Sequence, residues 1–391
     1  MRRFRPGAVL ALLCAGLVPL TAGCGSQAAP VSTPSLRVQT APLSTSLVTP
    51  QGTWAVTVMG GAAASENSFW QLFVRPASAT RWSLVTPEGV ADNGGLVAAA
   101  GAGGTSLVVG FRPSQGLASS PLAASGDMGQ KWTPGLLDAG LADVPDAMAV
   151  APSGQTLALL HGGSIEAAAS AGAATAGQWS RLATLSALAA SAPGRGCGLV
   201  AVNAVSFGPN NVPMAAGSCV RRGVAGVFAD TGGAWQAAGP VLPAGFGGDQ
   251  VQVLGLARTV LGNTVLANTG SGNAALLLAG TDLLAAWSDG ARWTVSAPVA
   301  AGGVSASGFG PGGSVWVLLG GGRAETIGGP GGSWAALPDL PAGTATLAPG
   351  PGSGYEALAV SGSRLTVWRL TAAAWTKVQV MNVPILYGSS S

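Results

Sequence analysis

Short apolar runs alternate along most of the chain with clusters of Gly, Pro, Asn and Ser. Runs of this kind, too short for helices and bounded by turn residues, predict strands. Residues 304–309 and 314–319 flank Gly310-Pro311-Gly312-Gly313, for instance, and predict an antiparallel hairpin. A longer period organises the strands. Three apolar strands are followed by a polar hairpin that ends in Trp, and this recurs at Trp82, Trp132, Trp179, Trp235, Trp293, Trp334 and Trp375. The spacings are 50, 47, 56, 58, 41 and 41 residues. A period of about 40–50 residues built from strands is the signature of propeller blades. Each of seven units then has room for four strands. The expected fold is all-β, a seven-bladed β-propeller of four-stranded antiparallel blades over residues 49–391.

Composition narrows the alternatives. The 391 residues include 62 Gly and 26 Pro, yet 48% are hydrophobic, which supplies a core and excludes a disordered chain. Gly has no three-residue period, so collagen is excluded. Only 8% of residues are charged, which argues against a coiled coil or a long solvated helix. A mean hydropathy of +0.44 raises the question of membrane spans, but the later uncharged runs are interrupted by Gly and Ser.

The first residues give an address. Arg2, Arg3 and Arg5 precede an apolar stretch from Pro6 to Leu20, too short to span a bilayer and typical of a signal peptide. Leu20-Thr21-Ala22-Gly23-Cys24 resembles the lipobox of bacterial lipoproteins, with Thr21 where Leu is usual. The resemblance implies removal of residues 1–23, lipidation of Cys24, and a cell-membrane anchor on the extracytoplasmic face. Residues 24–48, rich in Ser, Thr and Pro, would then form a tether. Loss of three Arg leaves 15 basic against 15 acidic side chains, so the excess positive charge is no sign of nucleic-acid binding. With Cys14 removed and Cys24 lipidated, Cys197 and Cys219 remain. In an oxidising compartment they predict a disulfide, near-equidistant from a turn at Gly208-Pro209-Asn210. The rival is a two-Cys zinc site, which lacks further ligands. The single His, His161, reads as a structural or surface residue.

Ser125-Gly126-Asp127-Met128-Gly129-Gln130-Lys131-Trp132 matches the Asp-box (BNR) pattern Ser-x-Asp-x-Gly-x-x-Trp. Asp230, Gly232 and Trp235 repeat part of it, and 288–293 is a degenerate copy. The segment around Trp334 is similar to a kelch blade. The chain thus resembles Asp-box and kelch propellers. That resemblance implies a structural hairpin of Ser125, Asp127, Gly129 and Trp132, repeated at Asp230, Gly232 and Trp235, in which Asp caps backbone N–H groups, Gly turns the chain and Trp packs into the blade.

Candidate chemistry is sparse. Propellers bind or catalyse on the face where one blade connects to the next, and Glu88, Asp92, Asp138, Asp143, Asp146 and Asp249 fall in such connections. They are the candidate ligand-binding residues, either an acidic rim for a ligand or Ca²⁺ or simple turn caps. No metal or other cofactor is expected. Asp-boxes bring sialidases to mind, whose Arg-Ile-Pro motif is only echoed at Phe73-Val74-Arg75-Pro76. Tyr355 and Glu356 adjoin, so on a strand they face opposite ways. A glycosidase pair could come from the acids named, though no spacing selects one. The function expected is a non-catalytic binding or scaffold module for an envelope protein or glycan, as a monomer, with a carbohydrate-active enzyme as the alternative.

Overall fold

The computed structural model describes residues 45–60, 68–87, 95–101, 106–111, 122–135, 144–260, 271–352 and 354–384. All belong to one compact unit, Val38–Ser391. The signal segment, Cys24 and the first part of the expected tether lie outside them.

The described strands fall into groups of four consecutive antiparallel members. They are β1–β4 (Thr45–Thr49, Gly52–Gly60, Ser68–Pro76, Ser83–Leu84) and β5–β8 (Leu96–Ala100, Leu107–Phe111, Leu122–Ser125, Thr133–Pro134). Next come β9–β12 (Ala147–Val150, Thr156–Leu160, Ser164–Ala168, Ser180–Ala183) and β13–β16 (Leu199–Phe207, Pro213–Cys219, Gly226–Asp230, Trp235–Ala237). Then follow β17–β20 (Val251–Val260, Ser271–Ala279, Asp282–Ser288, Trp293–Val295) and a short β21 (Val299–Ala300). The last groups are β22–β25 (Val304–Phe309, Val315–Leu319, Arg323–Ile327, Ala335–Ala336) and β26–β29 (Thr344–Pro349, Tyr355–Ser361, Arg364–Thr371, Ala374–Asn382). Five groups are separate sheets. The fourth and fifth are joined into one nine-stranded sheet through Ser218 opposite Gln252. β1 begins at Thr45, four residues ahead of the boundary expected at 49.

The apolar runs look continuous because each group is covered on both faces. On β2, Trp54 and Val56 pack with Leu96, Leu107 and Val109 of the second group. The alternate residues Ala55 and Met59 pack with Leu358, Leu365 and Val367 of the last. The same period-2 division continues around the molecule. Val108 and Leu122 meet Met148 and Ala158, and Leu157 and Ile165 meet Phe207 and Phe228. Val227 meets Val253 and Leu277, Trp287 meets Val315 and Val317, and Trp316 and Leu318 meet Leu347 and Ala357. The series of junctions therefore returns to the group where it began. Each fully buried Leu, Val or Phe contributes about 1.5–3 kcal/mol in this way.

Tryptophan indoles tie the groups together. Trp132 Nε1 donates to Val85 O (2.9 Å), Trp293 to Ala238 O (2.7 Å), Trp334 to Ala297 O (3.0 Å) and Trp375 to Pro338 O (3.3 Å). Each acceptor lies just past the fourth strand of the preceding group. Trp179 instead bonds Ala174 O at 2.9 Å, and Trp235 packs against the cluster around Leu188 and Phe228. Both depart from the pattern because helices stand in front of them.

Those helices were not expected from the strand pattern. They are α1 (Ala171–Thr175), α2 (Leu185–Ala190) and α3 (Ala192–Cys197). Ala-rich segments follow Ser170 and Thr184, and Ala-Pro-Gly follows Ser191; the three hydroxyls accept from Ala173, Ala187 and Gly194 N–H. N-capping of this kind stabilises a first turn by about 1 kcal/mol. Among the described residues no helix is long and apolar enough to cross a membrane.

The junction between last and first groups differs from the rest. Glu356 on β27 is fully buried, and its carboxylate pairs with Arg75 Nε on β3 at 3.0 Å. It accepts from Arg369 Nε and Nη2 on β28 at 2.9 and 2.7 Å, and from Trp82 Nε1 at 2.8 Å. Arg75 also donates to Pro349 O at 2.7 Å, and its guanidinium lies 5.5 Å from the Trp82 ring centre. Gln379 on β29 closes a double bond pair with the Trp82 backbone, both at 2.8 Å. Trp82 thus takes the inter-group role of the other Trp residues, with a carboxylate as acceptor. Tyr355 faces the other way, among the cluster of Trp316 and Leu347.

Replacing Glu356 by Gln strands a buried guanidinium. We expect a loss of about 3–5 kcal/mol in urea unfolding. Arg369→Met, which leaves Glu356 its bonds to Arg75 and Trp82, should cost less; equal costs would contradict the arrangement.

Candidate functional site

The first strands of six groups, β1, β5, β9, β13, β17 and β22, surround a cavity of about 650 Å³. That volume lies within the range of ligand pockets, about 300–1,000 Å³. β26, the first strand of the last group, contributes no lining residue. β1 reaches across to β22 and β23 instead: Thr45 Oγ1 donates to Ser307 O at 2.9 Å, and Trp316 Nε1 to Ser46 Oγ at 3.1 Å. Small side chains keep the space open. Ala98, Ala147, Ala149, Ala204, Ala257 and Gly308 all line it, with Phe309 as the bulkier member beside Gly255.

Polar chemistry in this wall is confined to a few positions. Asp146 immediately precedes β9, and Arg258 lies close to the far end of β17. Asn203 Nδ2 donates to Ser218 Oγ at 3.0 Å and to Val253 O at 3.3 Å, so it ties the fourth group to the fifth. Arg258 Nη1 donates to Asn211 Oδ1 at 2.9 Å, from the β13–β14 hairpin. Burial holds the Arg258 guanidinium below its usual pKa.

Of the acidic candidates, Asp146 is brought to the cavity. It is exposed, and its Oδ1 lies 3.8 Å from Nδ1 of His161, itself a surface residue. Asp249 is elsewhere: its carbonyl accepts from Gly223 N at 2.7 Å and its carboxylate sits against Gly280. Glu88, Asp92, Asp138 and Asp143 lie outside the described residues. Among the described residues no group of three or more His, Cys, Asp or Glu is arranged to hold a metal ion.

Residues 125–132 form a hairpin. Ser125 Oγ donates to Asp127 Oδ1 at 2.8 Å and accepts from Gly129 N at 2.7 Å, while Asp127 Oδ1 accepts from Lys131 N at 2.9 Å. The Lys131 N–H and then the Ser125 hydroxyl hold the Asp127 carboxyl below the ordinary carboxylate range. Gly129 has φ +87°, and an added Cβ there would meet Val85 of the neighbouring group at 2.9 Å. Only Gly meets both conditions. Asp230 Oδ1 accepts from Gly233 N at 2.8 Å, with Gly232 at φ 71°. Asp289 accepts from Ala291 and Arg292 N–H, both at 2.8 Å, and the latter chiefly lowers its pKa.

Cys197 and Cys219 are joined by a disulfide, with Cα atoms 5.3 Å apart. Direct strand pairing is not the reason. Leu199 faces Cys219 in the register, and Cys197 ends α3, so the bond fastens the helical insert to β14. Arg221 and Arg222 lie on the surface and donate to Gly196 O (3.2 Å) and Gly248 O (2.8 Å). Arg75 serves the buried clamp. The sequence pattern did not single out Arg258, and it raised Glu356 only as a neighbour of Tyr355, although each is a charge inside an apolar strand of a chain poor in charge.

No family model and no curated sequence matches the chain. Among solved structures it is similar to a provisionally assigned 6-phosphogluconolactonase from Bacteroides fragilis NCTC 9343, at 12% identity. The match covers 85% of this chain and 96% of that one, with a TM-score of 0.52. A counterpart from Bacteroides uniformis ATCC 8492 gives 11% identity, 85% and 97% coverage, and a TM-score of 0.50. A YCF48 structure bound to D1 peptide is 14% identical, over 82% and 91% of the two chains, at a TM-score of 0.47. Likeness at such identity shows the fold, that of β-propeller proteins, and no activity.

The Asp127 carboxyl titrates with its cap in place only when folded. Its lowered pKa makes a stabilising contribution present above the unfolded value, which is lost as pH falls through the folded one. Carbon NMR of this carboxyl should show a midpoint below that of the urea-unfolded chain; coincident midpoints would contradict the capping.

Proposed function

We propose that this chain is a lipid-anchored, extracytoplasmic ligand-binding propeller that serves a protein or glycan partner at the cell envelope. Cys24 is the anchor, the segment after it the tether, and the seven four-strand groups are the blades. The central cavity carries this reading: small side chains from six first strands keep it open, and its wall combines apolar surface with a few placed polar groups. Its described lining holds a single carboxylate, Asp146, whereas a glycosidase of the usual kind needs a pair flanking the bond. Binding is the chemistry this wall supplies. Lipidation supports the envelope location, since two or more acyl chains anchor a protein without a spanning helix.

Two measurements test the proposal. Cys24→Ala should release the protein from the membrane fraction; full retention would contradict the anchor. Thermal unfolding should then be followed against a panel of cell-wall sugars and short apolar peptides. A ligand at about 100 times its Kd adds about 2.7 kcal/mol and raises the midpoint by a few degrees. Ala257→Trp, which fills the cavity, should abolish any such shift while the unliganded protein still unfolds cooperatively. A shift unchanged by Ala257→Trp would place binding elsewhere.

A further inference from the structure

Arg258 is the one Lys or Arg in the cavity wall among the described residues. Its partner is Asn211 Oδ1, which takes one of the guanidinium's five N–H donors. The ion pairs among the described residues do not include it. The segment 261–270, which follows it in the chain, contains no Asp or Glu. Burial lowers its pKa. A half-buried cation in this position is stabilised by an anion that supplies both charge and acceptors, and the planar guanidinium fork suits carboxylate and phosphate oxygens.

The rest of the wall asks for something else. Leu47, Val97, Ala149, Ala257 and Phe309 are half-buried and present apolar surface to the cavity. A small hydrophilic anion would leave that surface wet; an anion carried on an apolar chain would cover it and meet the cation together. We propose that Arg258 anchors the head group of an amphiphile, a carboxylate or phosphate ester on an unbranched apolar chain, with the chain lying along the cavity. The proposal rests on the cavity being the binding site.

The test uses the Cys24→Ala chain, which needs no detergent, with dodecanoate, monododecyl phosphate and dodecan-1-ol below their aggregation concentrations. Affinities are read by calorimetry for Arg258 itself, Arg258→Gln and Arg258→Lys, after each variant's unliganded unfolding midpoint shows that it folds. We expect one or both anions to bind, a loss of about tenfold or more in Arg258→Gln, and partial recovery in Arg258→Lys. The two anions tell a carboxylate source from a phosphate source. Dodecan-1-ol should bind more weakly and be indifferent to Arg258→Gln. Anion affinity unchanged in Arg258→Gln would overturn the role of Arg258, yet leave the cavity as the site if Ala257→Trp abolishes it. Failure of all three probes would overturn the amphiphile, and the sugar and peptide panel would then judge the cavity by itself.

Discussion

Every group of four strands here is built from consecutive residues, so no strand is shared between the first group and the last. A chain of stacked sheets gains stability from its neighbours, and its two terminal faces have nothing to cover them unless they meet. Glu356 is where they meet. Its buried carboxylate gathers Arg75, Arg369 and the Trp82 indole from both sides of the join, within 2.7–3.0 Å. Apolar packing of Phe73, Trp82, Leu358 and Val367 surrounds it. A buried ion cluster adds little net stability over an apolar one of the same shape. Its value here is geometric, because the Arg369 guanidinium fork, the Arg75 ion pair and an indole N–H fix the angle at which the first and last groups approach.

The other junctions are simpler. An indole donates to a carbonyl just beyond the preceding group's outer strand, and period-2 alternation sends successive side chains to opposite neighbours. Such a design uses few charges, which accounts for a hydropathy that first suggests a membrane protein. The Asp-box adds a second constraint: Ser125 and Asp127 satisfy the hairpin's backbone donors, and Gly129 lets Val85 of the adjacent group come close.

Much of the architecture was legible because it is local. The Trp period, the turn at Gly310–Gly313 and the hairpin at 125–132 depend on residues near one another in sequence, and the strands at 304–309 and 315–319 fall where apolar runs predicted them. The disulfide was legible as a pair of Cys, but not its setting, because a capped Ala-rich segment folds as α2 and α3 before Cys197. What could not be read depends on distant partners. Glu356 and Arg75 are 281 positions apart by their numbers, and nothing in either local pattern specifies the other. The acidic candidates divide for a related reason: loops supply Asp as readily for turns as for ligands, so Asp249 could not be told from Asp146. A charge within a buried strand was the stronger signal.

The central claim is that the first and last groups of strands are locked together through Glu356. Hydrogen–deuterium exchange of the intact protein tests it directly. If the clamp closes the join, amides of β2, β3, β27 and β28 should exchange as slowly as those of β18 and β19 in the middle of the chain. Early exchange of the first and last groups, with the middle still protected, would describe an open stack with frayed ends and contradict the account.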